Sequence, residues 1–221
     1  MNALGRNGFA VLPSVISVAR ADELIASLAK ANPGYGMRNL LRDVPEAMAL
    51  ARDLTPLAAM VLGPAAFPVR GIFFDKIPRA NWEVGWHQDL SIAVVERIER
   101  SGFNGWSVKA GVVHVQPPTE ILQQMITLRV HLDDCGEGNG PLRVLPGSHG
   151  EGRLNDQAIA RWKQFVAEVV CTAMKGSVLL MRPMILHASS PAALPNHRRV
   201  IHLEYAATEL PNGLRWHSRE N

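Results

Sequence analysis

The sequence predicts a mainly β fold with flanking α-helices, a double-stranded β-helix of the jelly-roll, cupin-like kind. Three observations predict it. From residue 69 onward, about eight short apolar or alternating segments follow one another, divided by Gly and Pro turns. Fifteen prolines and eighteen glycines suit a turn-rich β architecture better than a helical bundle. Helical periodicity is confined to the stretch before residue 64 and one later segment. No linker divides the 221 residues, so 1–221 reads as one domain. Its helical N-terminal part covers about 14–64 and its jelly-roll core about 69–208.

Taken in order, Gly8-Phe9-Ala10-Val11-Leu12-Pro13 reads as a short strand stopped by proline. Ser17 can cap the helix that follows, 19–31, whose stripe is Leu24, Ile25, Leu28 and Ala29. Asn32-Pro33-Gly34 ends it. A second helix is predicted from about Pro45 to Leu62, with Pro56 as a kink or break and Gly63-Pro64 as the stop. These helices show no pattern of cofactor-type residues and are expected to pack against the outside of a sheet. Strands are predicted at 69–76, around 87–95, and at 112–116, 125–133, 142–145, 169–174, 177–181 and 199–206. A helix at 156–165 interrupts them.

Charge and cysteine content exclude several classes. The net charge is +3 and the pI 9.1, yet the basic residues are scattered. The longest basic run is Arg198-Arg199, which leaves no nucleic-acid footprint. Cys135 and Cys171 are too few for a disulfide framework and read as reduced thiols of a cytoplasmic protein. The N-terminus lacks an apolar core and a cleavage site. No apolar run approaches the roughly 18 residues of a membrane span.

The chemistry is concentrated in Trp86-His87-Gln88-Asp89 and Ile185-Leu186-His187. In an extended segment, residues i and i+2 share a face, so His87 and Asp89 can hold one ion while Gln88 points away. His187 follows the apolar run 177–186, a strand-end position on a neighbouring strand. Two histidines and one carboxylate form the facial triad of non-haem Fe(II) oxygenases, with coordination positions left open for O2 chemistry. A His-x-Asp pair alone is weak. Its weight here comes from the order His-x-Asp, distant His and Arg198, within β texture. With no thiolate in the set, nitrogen and oxygen ligation suits Fe(II), whereas zinc prefers a tetrahedral site. His114, His131, His149, His197, His202 and His217 are left to structural or substrate-facing roles.

Strand alternation puts Arg198, Val200, His202 and Glu204 on one face. That face is either solvated or turned inward to a charged cosubstrate. A buried guanidinium needs an anion such as a dicarboxylate. Lys109, His114 and Gln116 give another segment unusual polarity, and Thr127, Arg129, His131 and Asp133 share a strand face. If inward, these groups suit a carboxylate-bearing small-molecule substrate such as an amino-acid derivative. If outward, they form a solvated strand face.

Together these residues resemble the phytanoyl-CoA dioxygenase family of Fe(II)/2-oxoglutarate-dependent oxygenases. The matching stretches are 86–89, the run Asn139-Gly140-Pro141-Leu142-Arg143-Val144-Leu145-Pro146-Gly147-Ser148-His149, and His187-Ala188-Ser189 with Arg198-Arg199. The opening at 8–13 also resembles the family's. The resemblance implies a jelly roll in which His87, Asp89 and His187 hold iron. Arg198 and Ser189 would bind the distal carboxylate of 2-oxoglutarate, with Gln88 and Trp106 as further cosubstrate contacts. The 139–149 run would be structural, with His149 no ligand. It implies oxidation by O2 with release of succinate and CO2. The carboxylate ligand favours hydroxylation over halogenation and leaves desaturation or ring formation open. The chain is short for the family and shows no basic entrance for a coenzyme-A ester, so phytanoyl-CoA is not the expected substrate. The rival readings are a cupin-like metal hydrolase or isomerase, which would not need Arg198, and a non-enzymatic jelly roll that binds a small molecule.

Overall fold

The structure, a computed structural model, describes residues 2–219. It opens with α1 (Asn2–Asn7), β1 (Phe9–Leu12) and α2 (Val18–Ala31). The Ser17 side chain accepts the amide proton of Arg20, and Asn32 closes α2 in the left-handed region at φ 46°. Both are ordinary ways to satisfy the exposed ends of a helix. Ala21, Leu24 and Leu28 form its buried stripe, whereas Ala29 is exposed. Next come β2 (Gly36–Met37), α3 (Leu40–Asp43), α4 (Pro45–Asp53) and α5 (Thr55–Leu62). The helical stretch 45–62 is therefore two helices joined at Leu54. Pro56 stands in the first turn of α5, where a missing N–H costs nothing.

The β-rich part follows: β3 (Phe67–Lys76), β4 (Val84–His87), β5 (Ile92–Val94), β6 (Asn104–Lys109), β7 (Val112–Gln116), α6 (Thr119–Gln123) and β8 (Met125–His131). Then come β9 (Leu142–Val144), α7 (Asp156–Phe165), β10 (Val169–Cys171), β11 (Val178–Met181), β12 (His187–Ser189) and β13 (Arg198–Ala206). The segment read as one strand around 87–95 is two strands, with Asp89 in the connection between them.

The chain is a jelly roll, mainly β with a few helices. A six-stranded antiparallel sheet runs β1-β11-β8-β13-β3-β2, and a four-stranded one runs β10-β9-β12-β4. A third sheet, β5-β7-β6, is a separate hairpin layer. The large sheet is two-sided because its side chains alternate. One face, with Phe73, Ile126, Leu128, Val130, Ile201, Leu203 and Tyr205, packs on α2 to α5. Gly71 lies on this face because a Cβ there would come within 2.8 Å of the Leu41 side chain. The opposite face carries Arg70, Ile72, Phe74 and Lys76 on β3 beside Glu204, His202, Val200 and Arg198 on β13. It turns toward the small sheet. At the closed end, Leu179 and Met181 meet Leu142, Val144 and Cys171 in a shared apolar cluster. The hairpin layer has its own core around Ile92, Val94, Val115 and Trp216.

Both cysteines are buried and reduced. Among the described residues, no helix is long and apolar enough to cross a membrane.

Burial makes His131 a test of the interior. Both of its ring nitrogens lack a partner. Desolvation first, then Arg129 and Arg198, push its pKa down from 6.5 to about 3. The unfolded chain therefore binds this proton first. Its contribution to stability is complete above the unfolded pKa of 6.5 and is lost as the pH falls toward 3. Denaturant unfolding of His131→Leu is expected to lose stability less steeply than wild type between those limits, by about 1.4 kcal/mol per pH unit.

Candidate active site

The site begins with a strand pairing. β4 and β12 are antiparallel neighbours, and His87 stands opposite His187 in their register. Their rings lie 4.1 Å apart between centroids. Asp89 follows two residues later, beyond the strand, where its backbone amide donates to the Pro183 carbonyl at 2.9 Å. Its Oδ1 lies 3.8 Å from His87 Nε2 and its Oδ2 lies 3.6 Å from His187 Nε2. One ligand atom from each residue falls within 4.8 Å of the others.

The hydrogen bonds prepare these atoms for a cation. His87 Nδ1 faces the Gly85 carbonyl at 2.8 Å, and His187 Nδ1 faces the Ile185 carbonyl at 2.9 Å. A carbonyl only accepts, so each Nδ1 carries the proton and each Nε2 presents a lone pair inward. Burial holds His187 neutral, with its pKa pushed down to about 4. Burial works against charge on Asp89, but His187, His202, His87 and Arg129 hold its carboxyl below the usual range. The 3.6 and 3.8 Å separations are too long for hydrogen bonds. They are what two donors sharing an ion at about 2.1 Å each can span. Two neutral nitrogens and one carboxylate thus fit Fe(II).

Gln88 lines the cavity, and its amide braces the triad. Its Nε2 donates to the carbonyls of Gly152 and Met184, both at 2.7 Å, and its Oε1 accepts from the Leu154 amide at 2.8 Å. Ser148 does the same for the other histidine. Its Oγ donates to the Leu145 carbonyl at 2.7 Å and accepts the Leu186 amide at 2.8 Å. The 139–149 run is therefore strapped to the segment that delivers His187.

One cavity of about 450 Å³ opens from the triad. At one flank lie Ser189 and Arg198, 3% and 4% exposed. Arg198 Nη1 donates to Ser189 Oγ at 3.3 Å and to the Gly140 carbonyl, while its Nε has no partner. Gly140 has φ +59°, and a Cβ there would meet the Ser190 carbonyl at 2.7 Å. Only glycine brings this wall so close. Lys76, opposite Arg198 in the β13–β3 register, donates to Ser189 Oγ and to the Ser190 carbonyl, both at 2.7 Å. Burial, then Arg198, lowers its pKa to about 8. This flank concentrates positive charge with no carboxylate paired to Arg198 or Lys76 among the described residues.

The other candidates divide. Lys109 and Arg129 line the cavity. Trp106, His114, Gln116, Thr127 and His131 lie outside its lining. Trp106 packs on the hairpin core under Arg97. Gln116 accepts from Arg153 Nη1 at 2.8 Å. His114 Nδ1 donates to the Val112 carbonyl at 2.9 Å. Asp133 leaves the face of Arg129 altogether, because past the end of β8 it turns to take the Arg199 guanidinium in a two-pronged pair. Sequence reasoning missed Lys76, Arg70, Arg38 and the wall at Gly140. Of these, only Lys76 and Arg70 carried a signal: strand alternation puts them on one face of β3 with Ile72 and Phe74.

The family model for phytanoyl-CoA dioxygenase matches residues 4–200. The chain belongs to the phytanoyl-CoA dioxygenase family. It is an oxidoreductase of the non-haem iron, 2-oxoglutarate-dependent class. No curated protein matches it. Among solved structures, AviO1 from Streptomyces viridochromogenes shares 25% identity at a TM-score of 0.68, covering 96% of this chain and 95% of that one. SnoK, a non-haem α-ketoglutarate-dependent carbocyclase from nogalamycin biosynthesis, shares 14% at 0.72, covering 93% and 81%. EctD from S. alaskensis, solved with 2-oxoglutarate and 5-hydroxyectoine, shares 19% at 0.71, covering 93% and 74%. The last two are similar in fold.

Because Gln88 joins the triad to two neighbouring loops, Gln88→Leu is expected to weaken metal binding by about 10- to 100-fold without unfolding the protein. Titration with Ni(II), with circular dichroism as the control for folding, measures it.

Proposed function

We propose that this oxygenase hydroxylates a C–H bond of a small polar molecule, using 2-oxoglutarate and O2 and releasing succinate and CO2. The observation that carries the reading is the convergence of His87, Asp89 and His187 at one end of a cavity whose flank is the Arg198–Ser189 pair. When bound, iron supplies the activation of O2 that couples loss of CO2 from the cosubstrate to oxidation of the substrate.

The chain's own residues bind, orient and exclude water. His87, Asp89 and His187 would hold the ion at one end of the cavity. Arg198 and Ser189, with the Lys76 ammonium beside them, would take the distal carboxylate of 2-oxoglutarate. That anion relieves two buried cations that otherwise repel each other. Ile72, Phe74, Trp82 and Leu90 give the same cavity apolar wall, which shields the reaction from solvent. At the mouth, Arg38 and Lys109 take part in no ion pair among the described residues, and Arg70 is committed to Glu204 at 3.1 Å. These unmatched charges favour a substrate that carries a carboxylate or another oxyanion.

The balance is one O2, one 2-oxoglutarate and one R–H consumed for one R–OH, one succinate and one CO2. Asp89→Ala and His87→Ala are expected to lose iron and all substrate-dependent succinate formation, read by metal analysis and by succinate assay. Full turnover by Asp89→Ala with only Fe(II) and 2-oxoglutarate added would remove it from the ligand set. Arg198→Ala is expected to weaken cosubstrate binding by about 2–5 kcal/mol, as loss of one member of a buried charge pair does. Titration of 2-oxoglutarate into the anaerobic Fe(II) protein, followed by its charge-transfer absorption, measures this.

A further inference from the structure

The cavity runs along one face of β3 and β13, and their register orders its charges. Arg198 lies opposite Lys76 at one end, and Glu204 lies opposite Arg70 at the other. From Arg198 to Glu204 the strand advances by six residues, about 20 Å. A five-carbon diacid held at Arg198 does not reach that far. The Arg70–Glu204 end is left to the substrate.

Glu204 is 6% exposed and still lines the cavity. Its Oε1 is used twice: it accepts from Arg70 Nη1 at 3.1 Å and lies 3.4 Å from His202 Nε2. Its Oε2 has no donor among the described residues. Thr127, opposite it on β8, leaves its own hydroxyl without a partner. Burial works against charge on Glu204, but Arg70 and then His202 hold its carboxyl below the usual range. The free oxygen is therefore ionised at neutral pH. An ionised oxygen with so little access to water costs free energy until a donor reaches it. On a cavity wall, that donor comes with a ligand.

The charges beside this pair have the opposite sign. Arg38 and Lys109 line the mouth and make no ion pair among the described residues. The Arg70 charge repels Arg38. Asn39 Nδ2 donates to the Ala110 carbonyl at 3.4 Å, which brings together the residues that follow Arg38 and Lys109. Ala110 and Gly111 have φ of 50° and 77°, a tight two-residue turn that holds Lys109 at the end of β6.

We propose that Glu204 is a substrate contact: its free oxygen accepts from an N–H or O–H of the substrate, while Arg38 and Lys109 take the substrate's carboxylate. The inference rests on the oxygenase reading above and deepens it. The substrate is then a carboxylic acid that carries its own hydrogen-bond donor, as a 2-amino or a 2-hydroxy acid does. Arg70 is a positioning residue, which fixes the carboxylate of Glu204 through the oxygen that faces it.

The test is calorimetric titration of the full chain loaded with Mn(II) and 2-oxoglutarate, without turnover. The probes are the standard amino acids and their 2-hydroxy analogues, then the deaminated acid and the decarboxylated amine of each binder. Amino or hydroxy acids are expected to bind, and the deaminated acids and amines to bind about tenfold to a hundredfold more weakly, the range for a charge-assisted hydrogen bond. Glu204→Gln is expected to weaken the best probe by the same factor and to leave 2-oxoglutarate affinity unchanged. Because that change leaves Arg70 buried without its anion, Glu204→Gln combined with Arg70→Met repeats the measurement with the pair removed together. Arg38→Met is expected to weaken the acids and not the amines. Deaminated acids that bind as tightly as their parents, or wild-type probe affinity in both Glu204 variants, overturn the contact at Glu204. So does a loss of 2-oxoglutarate affinity in both, which marks a structural role. Amines that bind as tightly as the acids overturn the roles of Arg38 and Lys109. The reading beneath fails separately: 2-oxoglutarate that does not bind the Mn(II) protein overturns the cosubstrate, whereas 2-oxoglutarate that binds while no amino or hydroxy acid does overturns only this inference.

Discussion

The site depends on one register. His87 and His187 face each other across an antiparallel pair, and a slip of one residue in either strand would turn one imidazole to the other side of the sheet. The register is held from both ends. On one strand, Gln88 ties the residue after His87 to three backbone groups of two loops. On the other, Ser148 and Leu145 bind the backbone of Leu186, just before His187. The ligand nitrogens are aimed by carbonyls two residues earlier in the chain, so ring orientation follows once the register is fixed. The triad needs few interactions of its own because the sheet supplies its geometry.

The second constraint is charge. One face of the large sheet holds Arg70, Lys76, Arg129 and Arg198, which would be unusual for the interior of a sandwich. They are spaced over three adjacent strands and paired unequally. Arg70 has Glu204, while Lys76 and Arg198 share one serine hydroxyl and Arg129 has only an imidazole nitrogen. A hydrophobic interior would be more stable. The excess makes sense as a cavity whose counter-charges are ligands. The chain Arg129–His202–Glu204–Arg70 along the floor keeps the plane of each guanidinium defined while the ligand is away.

How much of this could be read from the chain follows the same physics. The helix at 156–165 and the strand ending at Ala206 were legible because periodicity and turn residues agreed over their length. α3, α6 and β2 were not, since two to five residues carry no period, and β6 escaped because NGWSVK is polar and largely exposed. His87, Asp89 and His187 could be grouped by ligand type, but their pairing across β4 and β12 is long-range and leaves no local mark. Alternation placed Thr127, Arg129 and His131 on one face, yet only the long Arg129 side chain reaches the cavity. Period says which side a residue faces, not how far the cavity extends beneath it. Gly140 looked like a turn residue. That its carbonyl receives Arg198 depends on the close approach of the 190–192 loop, which no local pattern encodes.

The triad and the cavity mouth are carried by different layers. The triad and the cation flank sit on the two facing sheets, locked by the α2–α5 core on one side and the Leu142–Leu179 cluster on the other. Lys109 stands at the end of β6, in a third sheet with a separate apolar core around Trp216. Its connection to the helical layer is slight: Asn39 Nδ2 donates to the Ala110 carbonyl at 3.4 Å, beside Arg38. The mouth can therefore change its charge or reach through β6, its turn and the 38–39 segment without disturbing strand register at the metal. Substitutions in the two facing sheets have no such freedom, because each strand there is paired on one or both sides. A fold arranged this way can keep one metal site while its mouth varies, so family membership settles the oxidant here and not the molecule oxidised.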